Sequence, residues 1–65
     1  MIRFPEKTIS KGRKTIIFYK LIKDNVLLDS YLVELLDIIT DEVKAYDFDT
    51  RKEAIQFMSE LYDTL

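Results

Sequence analysis

The chain has 65 residues, with ten basic and twelve acidic side chains and a formal net charge of -2 at pH 7. It contains no Cys and no His, which excludes a disulfide framework and removes the commonest general base and the commonest zinc ligand. Hydrophobic residues make up 48% of the chain, as in folded domains, and we expect residues 1–65 to form a single small domain. No segment has the length and apolar character of a signal peptide core or a membrane span, which predicts a cytoplasmic protein without a membrane partner.

The charges are divided unevenly along the chain. Residues 1–25 carry seven bases and two acids, a net charge of +5, whereas residues 26–65 carry three bases and ten acids, a net charge of -7. Such a division can mark a surface for a charged partner. It can equally reflect attraction between the two parts of the chain within the fold, and both interpretations stay open at this point.

The first 25 residues are predicted to be extended chain. Residues 15–19, Thr-Ile-Ile-Phe-Tyr, are β-branched or aromatic, as is typical of a strand. Gly12, the only glycine, suits a hairpin turn, and a hairpin would pair residues 6–10 with 13–20. Residues 23–25, Lys-Asp-Asn, predict a turn and the start of a helix.

The remaining residues predict two helices. From Val26 onward, polar residues at positions 30, 34, 37, 41 and 44 recur at steps of four and three, which predicts a helix over about 26–39. Residues 41–48 fit either a helix or, from Glu42 to Phe48, a short strand. A second helix is predicted over about 50–64, where Thr50 and Glu53 fit a capping box and Asp49 is the competing cap. The expected fold is therefore α+β, with an N-terminal strand or β-hairpin followed by two amphipathic helices, with or without a short strand between them.

One segment resembles a site for chemistry. Asp47 and Asp49, two residues apart and followed by Thr50, could share a hard cation such as magnesium. The same residues are favoured in a turn that caps a helix, and a phosphoryl-transfer site needs further groups from a larger scaffold. The sequence therefore predicts a protein that is not an enzyme, with no catalytic, metal-binding or cofactor-binding residues and no cofactor.

Protein binding is the function that the composition favours. The apolar and aromatic content is generous for so small an interior, and exposed aromatic residues are typical of interfaces. The predicted partner-binding residues are Tyr19, Tyr31, Tyr46 and Phe48. We expect a small regulatory or adaptor protein that acts through protein contacts, with itself as a homo-oligomer such as a homodimer or with another protein.

DNA binding is the alternative. A basic strand followed by two helices is the element order of ribbon–helix–helix repressors, and residues 50–55, Thr-Arg-Lys-Glu-Ala-Ile, resemble the start of the second helix in that family. The resemblance implies a dimer whose paired N-terminal strands contact DNA. The predicted nucleic-acid contacts are Lys11, Arg13, Lys14 and Lys20, together with Thr15 and Tyr19. The sequence pI of about 5.0 disfavours this alternative.

Overall fold

A computed structural model of the chain describes the backbone of residues 2–24 and 26–65, and the side chains in these ranges except those of residues 26–29. Four strands precede one helix: β1 Ile2–Lys11, β2 Lys14–Lys23, β3 Val26–Asp37, β4 Val43–Phe48 and α1 Arg51–Thr64. The strands form one antiparallel sheet in the order β1-β2-β3-β4. Each strand therefore pairs with its neighbours in the sequence.

Strands β1 and β2 form a hairpin whose turn depends on Gly12. The register pairs Lys11 with Lys14, so that Gly12 and Arg13 make the connection. Gly12 has a φ of 61°, and glycine at the first of two turn positions is typical of a type II′ turn. A Cβ atom added at Gly12 would meet nothing within 4 Å. The cost of a side chain here is therefore backbone strain alone.

Replacing Gly12 with Ala is expected to destabilise the protein by about 1 kcal/mol, because a Cβ atom disfavours positive φ. The Gly12→Asn variant should lose less, since Asn tolerates this conformation better than Ala. Urea unfolding followed by circular dichroism measures both losses. An Ala variant as stable as the wild type would contradict this account of the turn.

The helix predicted over 26–39 is wrong, and the two-helix fold is wrong with it, because Val26–Asp37 is strand β3. The sequence misleads because β3 lies inside the sheet and carries apolar side chains on both faces. Tyr31 and Val33 pack in the core beneath α1, whereas Leu32, on the opposite face, is only 4% exposed. Apolar residues on both faces hide the alternation of a strand. Asn25, predicted to lie in the turn, is outside the described residues.

The C-terminal helix is confirmed, and residues 43–48 form a strand. The Thr50 side chain caps α1 by accepting the Glu53 N–H at 3.2 Å. Its hydroxyl also donates to Oε1 of Glu53 at 3.1 Å. The capping residue is therefore Thr50 rather than Asp49.

The core lies between α1 and one face of the sheet, which we call the helix face. Ala54 and Met58 of α1 pack with four buried strand residues, Ile16, Phe18, Tyr31 and Val33. Phe57 extends the core to β4, with ring centroids 4.7 Å from Tyr46 and 5.1 Å from Phe48. The apolar residues of α1, which has 14 residues, thus cover β2, β3 and β4.

The other face of the sheet, which we call the open face, is not contacted by α1. Strand alternation and register place on it Thr8, Ser10, Thr15, Ile17, Tyr19, Leu32, Glu34, Leu36, Val43, Ala45 and Asp47. Arg3 and Glu34 form an ion pair here at 3.1 Å, and the Tyr19 hydroxyl is hydrogen-bonded to Glu34. Burial and this bond to a carboxylate raise the pKa of Tyr19.

Candidate functional site

The connection between β3 and β4 is organised by one buried carboxylate, that of Asp37. This residue is 2% exposed and is the buried charged residue of the described chain. Its Oδ2 atom lies 2.9 Å from Lys14 Nζ and 3.1 Å from Arg13 Nε. Its Oδ1 atom accepts the N–H groups of Ile39 at 2.9 Å and Thr40 at 3.2 Å. One side chain therefore links the β1–β2 turn to the β3–β4 connection.

These contacts keep Asp37 ionised. Hydrogen bonds from Lys14 and from the Ile39 backbone lower its pKa to about 2, against an ordinary value of 3.8. A carboxylate with several donors is stabilised in its charged form, even where burial opposes ionisation. Asp37 therefore carries its charge over the whole physiological pH range.

The backbone of the connection is hydrogen-bonded throughout. Ile38 N–H donates to the Arg13 carbonyl at 3.0 Å, and Asp41 N–H donates to the Asp37 carbonyl at 2.9 Å. Glu42 N–H donates to Thr40 Oγ1 at 3.4 Å. Together with the two bonds to the Asp37 carboxylate, these satisfy every N–H group from residue 38 to 42. Hydrogen bonds to every one of these donors restrain the backbone of the connection.

This fixed connection exposes apolar side chains. Ile38 is 55% exposed and Ile39 is 67% exposed, and Val43, the first residue of β4, is 54% exposed. We call these three residues the apolar end. They lie in one short stretch at one end of the sheet. Ile2 and Phe4 are also exposed, at 62% and 53%, and they lie at the start of β1, at the opposite end.

The structure places each of the four basic residues among the predicted nucleic-acid contacts beside an intramolecular partner. Arg13 and Lys14 pair with Asp37, and Lys20 lies 3.6 Å from Glu6. Lys11 donates to the Tyr62 carbonyl at 3.3 Å and lies over the Tyr62 ring. Of these contacts, the ion pairs of Arg13 and Lys14 with Asp37 join the basic part of the chain to the acidic part. Nucleic-acid binding by the predicted residues stays a prediction.

Of the four predicted partner-binding aromatic residues, one is buried and three are half-buried. Tyr31 is 8% exposed and stacks on Phe18 with ring centroids 5.7 Å apart. Tyr46 and Phe48 are half-buried against Phe57, and Tyr19 is half-buried on the open face. These side chains serve the fold, and their role in partner binding stays a prediction.

The second ion-pair cluster is structural. Glu6 pairs with both Lys20 and Arg51, with Arg51 Nη1 at 2.7 Å from Glu6 Oε2, and thereby joins β1 and β2 to the start of α1. The hydrogen bond from Arg51 lowers the pKa of Glu6. The Arg51 guanidinium also lies over the Phe18 ring at 5.4 Å. This cluster holds the helix on the sheet.

Neither a metal cluster nor a cavity is found in the described part of the chain. Among the described side chains, those of residues 2–24 and 30–65, no three acidic groups lie together in an arrangement that could hold a metal ion. No pocket opens among these residues. No helix within the same ranges is long and apolar enough to cross a membrane.

Comparisons of this chain with protein-family models, with curated proteins and with solved structures give no match. The sequence patterns missed the apolar end, because Ile38 and Ile39 fall at the end of the helix predicted over 26–39. Asp37 carries the available signal, since Asp before a short connection often accepts backbone N–H groups.

Proposed function

We propose that this chain is a small cytoplasmic regulatory or adaptor protein that acts by binding proteins, including copies of itself, rather than by catalysis. The observation that supports the proposal is the apolar end. Three β-branched side chains that are each more than half exposed stand at a connection whose backbone donors are all engaged. Apolar surface exposed in this way is typical of interaction sites.

The restrained backbone of residues 38–42 favours binding by the apolar end. A flexible loop loses conformational entropy when a partner orders it, and that loss opposes binding. The hydrogen bonds around Asp37 order residues 38–42 before any partner arrives. Ile38 and Ile39 are therefore presented in a fixed arrangement, as hot-spot residues are in preorganised interfaces.

The test is a double substitution, Ile38→Ser with Ile39→Ser, compared with the wild type by light scattering over a range of concentrations. Both side chains are more than half exposed, so the fold should tolerate the change. The Ile2→Ser variant is the matched control, because Ile2 is 62% exposed at the opposite end. We expect the wild type and the control to self-associate and the double variant to have the mass of a monomer.

If the wild type is a monomer, the same three variants are tested for binding to another protein. Affinity capture should then recover a protein that binds the wild type and the Ile2→Ser control but not the double variant. Equal behaviour of the wild type and the double variant in both measurements would overturn the proposal.

A further inference from the structure

We propose that the free edge of β4 binds an extended, basic segment of another protein, which adds to the sheet as a fifth strand. The inference rests on the proposed function and names the kind of partner that this end of the sheet accepts. β4 is the last strand in the sheet order, so one side of it has no strand partner among the described residues. A strand edge of this kind presents unpaired N–H and C=O groups in a row.

The register identifies the backbone groups at that edge. Asp37 N–H donates to the Glu42 carbonyl at 2.9 Å, so residue 42 directs its backbone groups toward β3. Antiparallel pairing alternates from residue to residue, and the register continues without a shift from Leu36–Val43 to Tyr31–Phe48. Residues 44, 46 and 48 therefore bond to β3. The N–H and C=O groups of Val43, Ala45 and Asp47 point outward, where a further strand can pair with them.

The two edges of the sheet differ in how open they are. β1 contains Pro5, and its register with β2 shifts between Pro5 and Lys7. Proline, irregular pairing and lysine side chains are devices that protect an edge strand from added strands. β4 contains no proline and has a regular register. The β4 edge is therefore the better template of the two.

The negative charge around β4 favours a basic segment as the added strand. The stretch from residue 41 to 49 carries four acids and one base, a net charge of -3. The acids are Asp41, Glu42, Asp47 and Asp49; all are exposed, and none is in an ion pair within the described residues. A basic segment complements this edge, whereas a second β4 would bring like charges together.

The exposed side chains of β4 indicate which residue types the added strand should carry. Val43, Ala45 and Asp47 all lie on the open face and are exposed. A strand paired with β4 places alternate side chains next to them. The segment that fits best therefore carries two apolar residues and a lysine or arginine at alternate positions on one face, with the apolar residues beside Val43 and Ala45 and the basic residue beside Asp47.

The experiment titrates the isotope-labelled chain with a capped seven-residue peptide that has valine at its fourth and sixth positions and lysine elsewhere, and it follows the amide chemical shifts. An antiparallel strand of this sequence places its valines beside Ala45 and Val43 and a lysine beside Asp47. We expect saturable binding with the largest shifts at Val43, Ala45 and Asp47. The Ala45→Pro variant removes an outward donor without touching the β3–β4 bonds, and it should weaken binding about tenfold or more. Thr8→Pro is the matched control. The backbone N–H of Thr8 points away from β2 at the β1 edge, and removing this donor should leave the affinity for the peptide unchanged.

Further arms complete the test. A peptide with glutamate in place of lysine should not bind, and the double substitution Asp47→Lys with Asp49→Lys should abolish binding of the lysine peptide even if Ala45→Pro fails to fold. Failure of the wild type to bind the lysine peptide, equal losses in Ala45→Pro and Thr8→Pro, or shifts confined to β1 would each overturn the inference. Self-association that Ala45→Pro abolishes would assign the edge to a second copy and overturn it as well. The proposed function is tested separately, through the double substitution at Ile38 and Ile39.

Discussion

The Phe18→Ala variant is expected to lose about 4 kcal/mol of stability, which is the cost of removing a large, fully buried aromatic side chain. Phe18 is 0% exposed, stacks on Tyr31 and lies beneath the Arg51 guanidinium. A domain of this length has a total stability of roughly 3–10 kcal/mol. The variant should therefore be largely unfolded, or should unfold at much lower denaturant than the wild type.

Urea unfolding followed by tyrosine fluorescence and by circular dichroism measures this effect. Ile2→Ala is a suitable control, since Ile2 is 62% exposed and its truncation should change stability by less than about 0.5 kcal/mol. A Phe18→Ala variant within about 1 kcal/mol of the wild type would show that Phe18 is not packed between α1 and the sheet.

Replacing Asp37 with Ala should lower the midpoint of thermal unfolding by roughly 10 °C or more. The substitution leaves the Lys14 ammonium and the N–H groups of Ile39 and Thr40 without their acceptor. The two N–H groups are partly buried, and a donor that loses its acceptor where water has limited access costs more than the net value of the hydrogen bond. Asp47→Ala is the control, because Asp47 is exposed and has no ion pair among the described residues, and it should leave the midpoint nearly unchanged.

The contribution of Asp37 should also depend on pH. Its pKa is about 2 in the folded protein, against an ordinary value of 3.8, so the unfolded state binds more protons between these values. The stabilisation is therefore complete above about pH 5 and is lost as the pH falls through 3.8 toward 2. The difference in urea midpoint between the wild type and Asp37→Asn should be constant at higher pH and shrink below pH 4. A difference that does not change with pH would contradict this account.

Local signals in the sequence were enough to predict the first hairpin and the last helix. Gly12 specifies the turn through its own backbone, and Thr50 specifies the start of α1 through a bond to a residue three positions away. Both signals act within a few residues, and neither depends on the rest of the fold. Such features can be predicted without knowing which elements pack together.

Strand β3 and the candidate site could not be predicted in the same way. Leu32 and Val33 are both buried, on opposite faces of the sheet, and a strand that is apolar on both faces has the composition of an amphipathic helix. The partners of Asp37 are Arg13 and Lys14, which lie on a different hairpin. The sequence does not indicate that these charges meet, so the order of the 38–42 connection emerges only from the tertiary structure.

The order of elements has a consequence for how the chain acquires its structure during synthesis. Because the strands are arranged in the sheet as they follow one another in the sequence, each new strand meets a neighbour that is already available, and short loop closures make such pairings fast. The helix that covers Ile16, Phe18 and Val33 follows all four strands. During synthesis the apolar helix face of the sheet is therefore the last surface to be covered, and intermediates that expose such a surface are prone to aggregation.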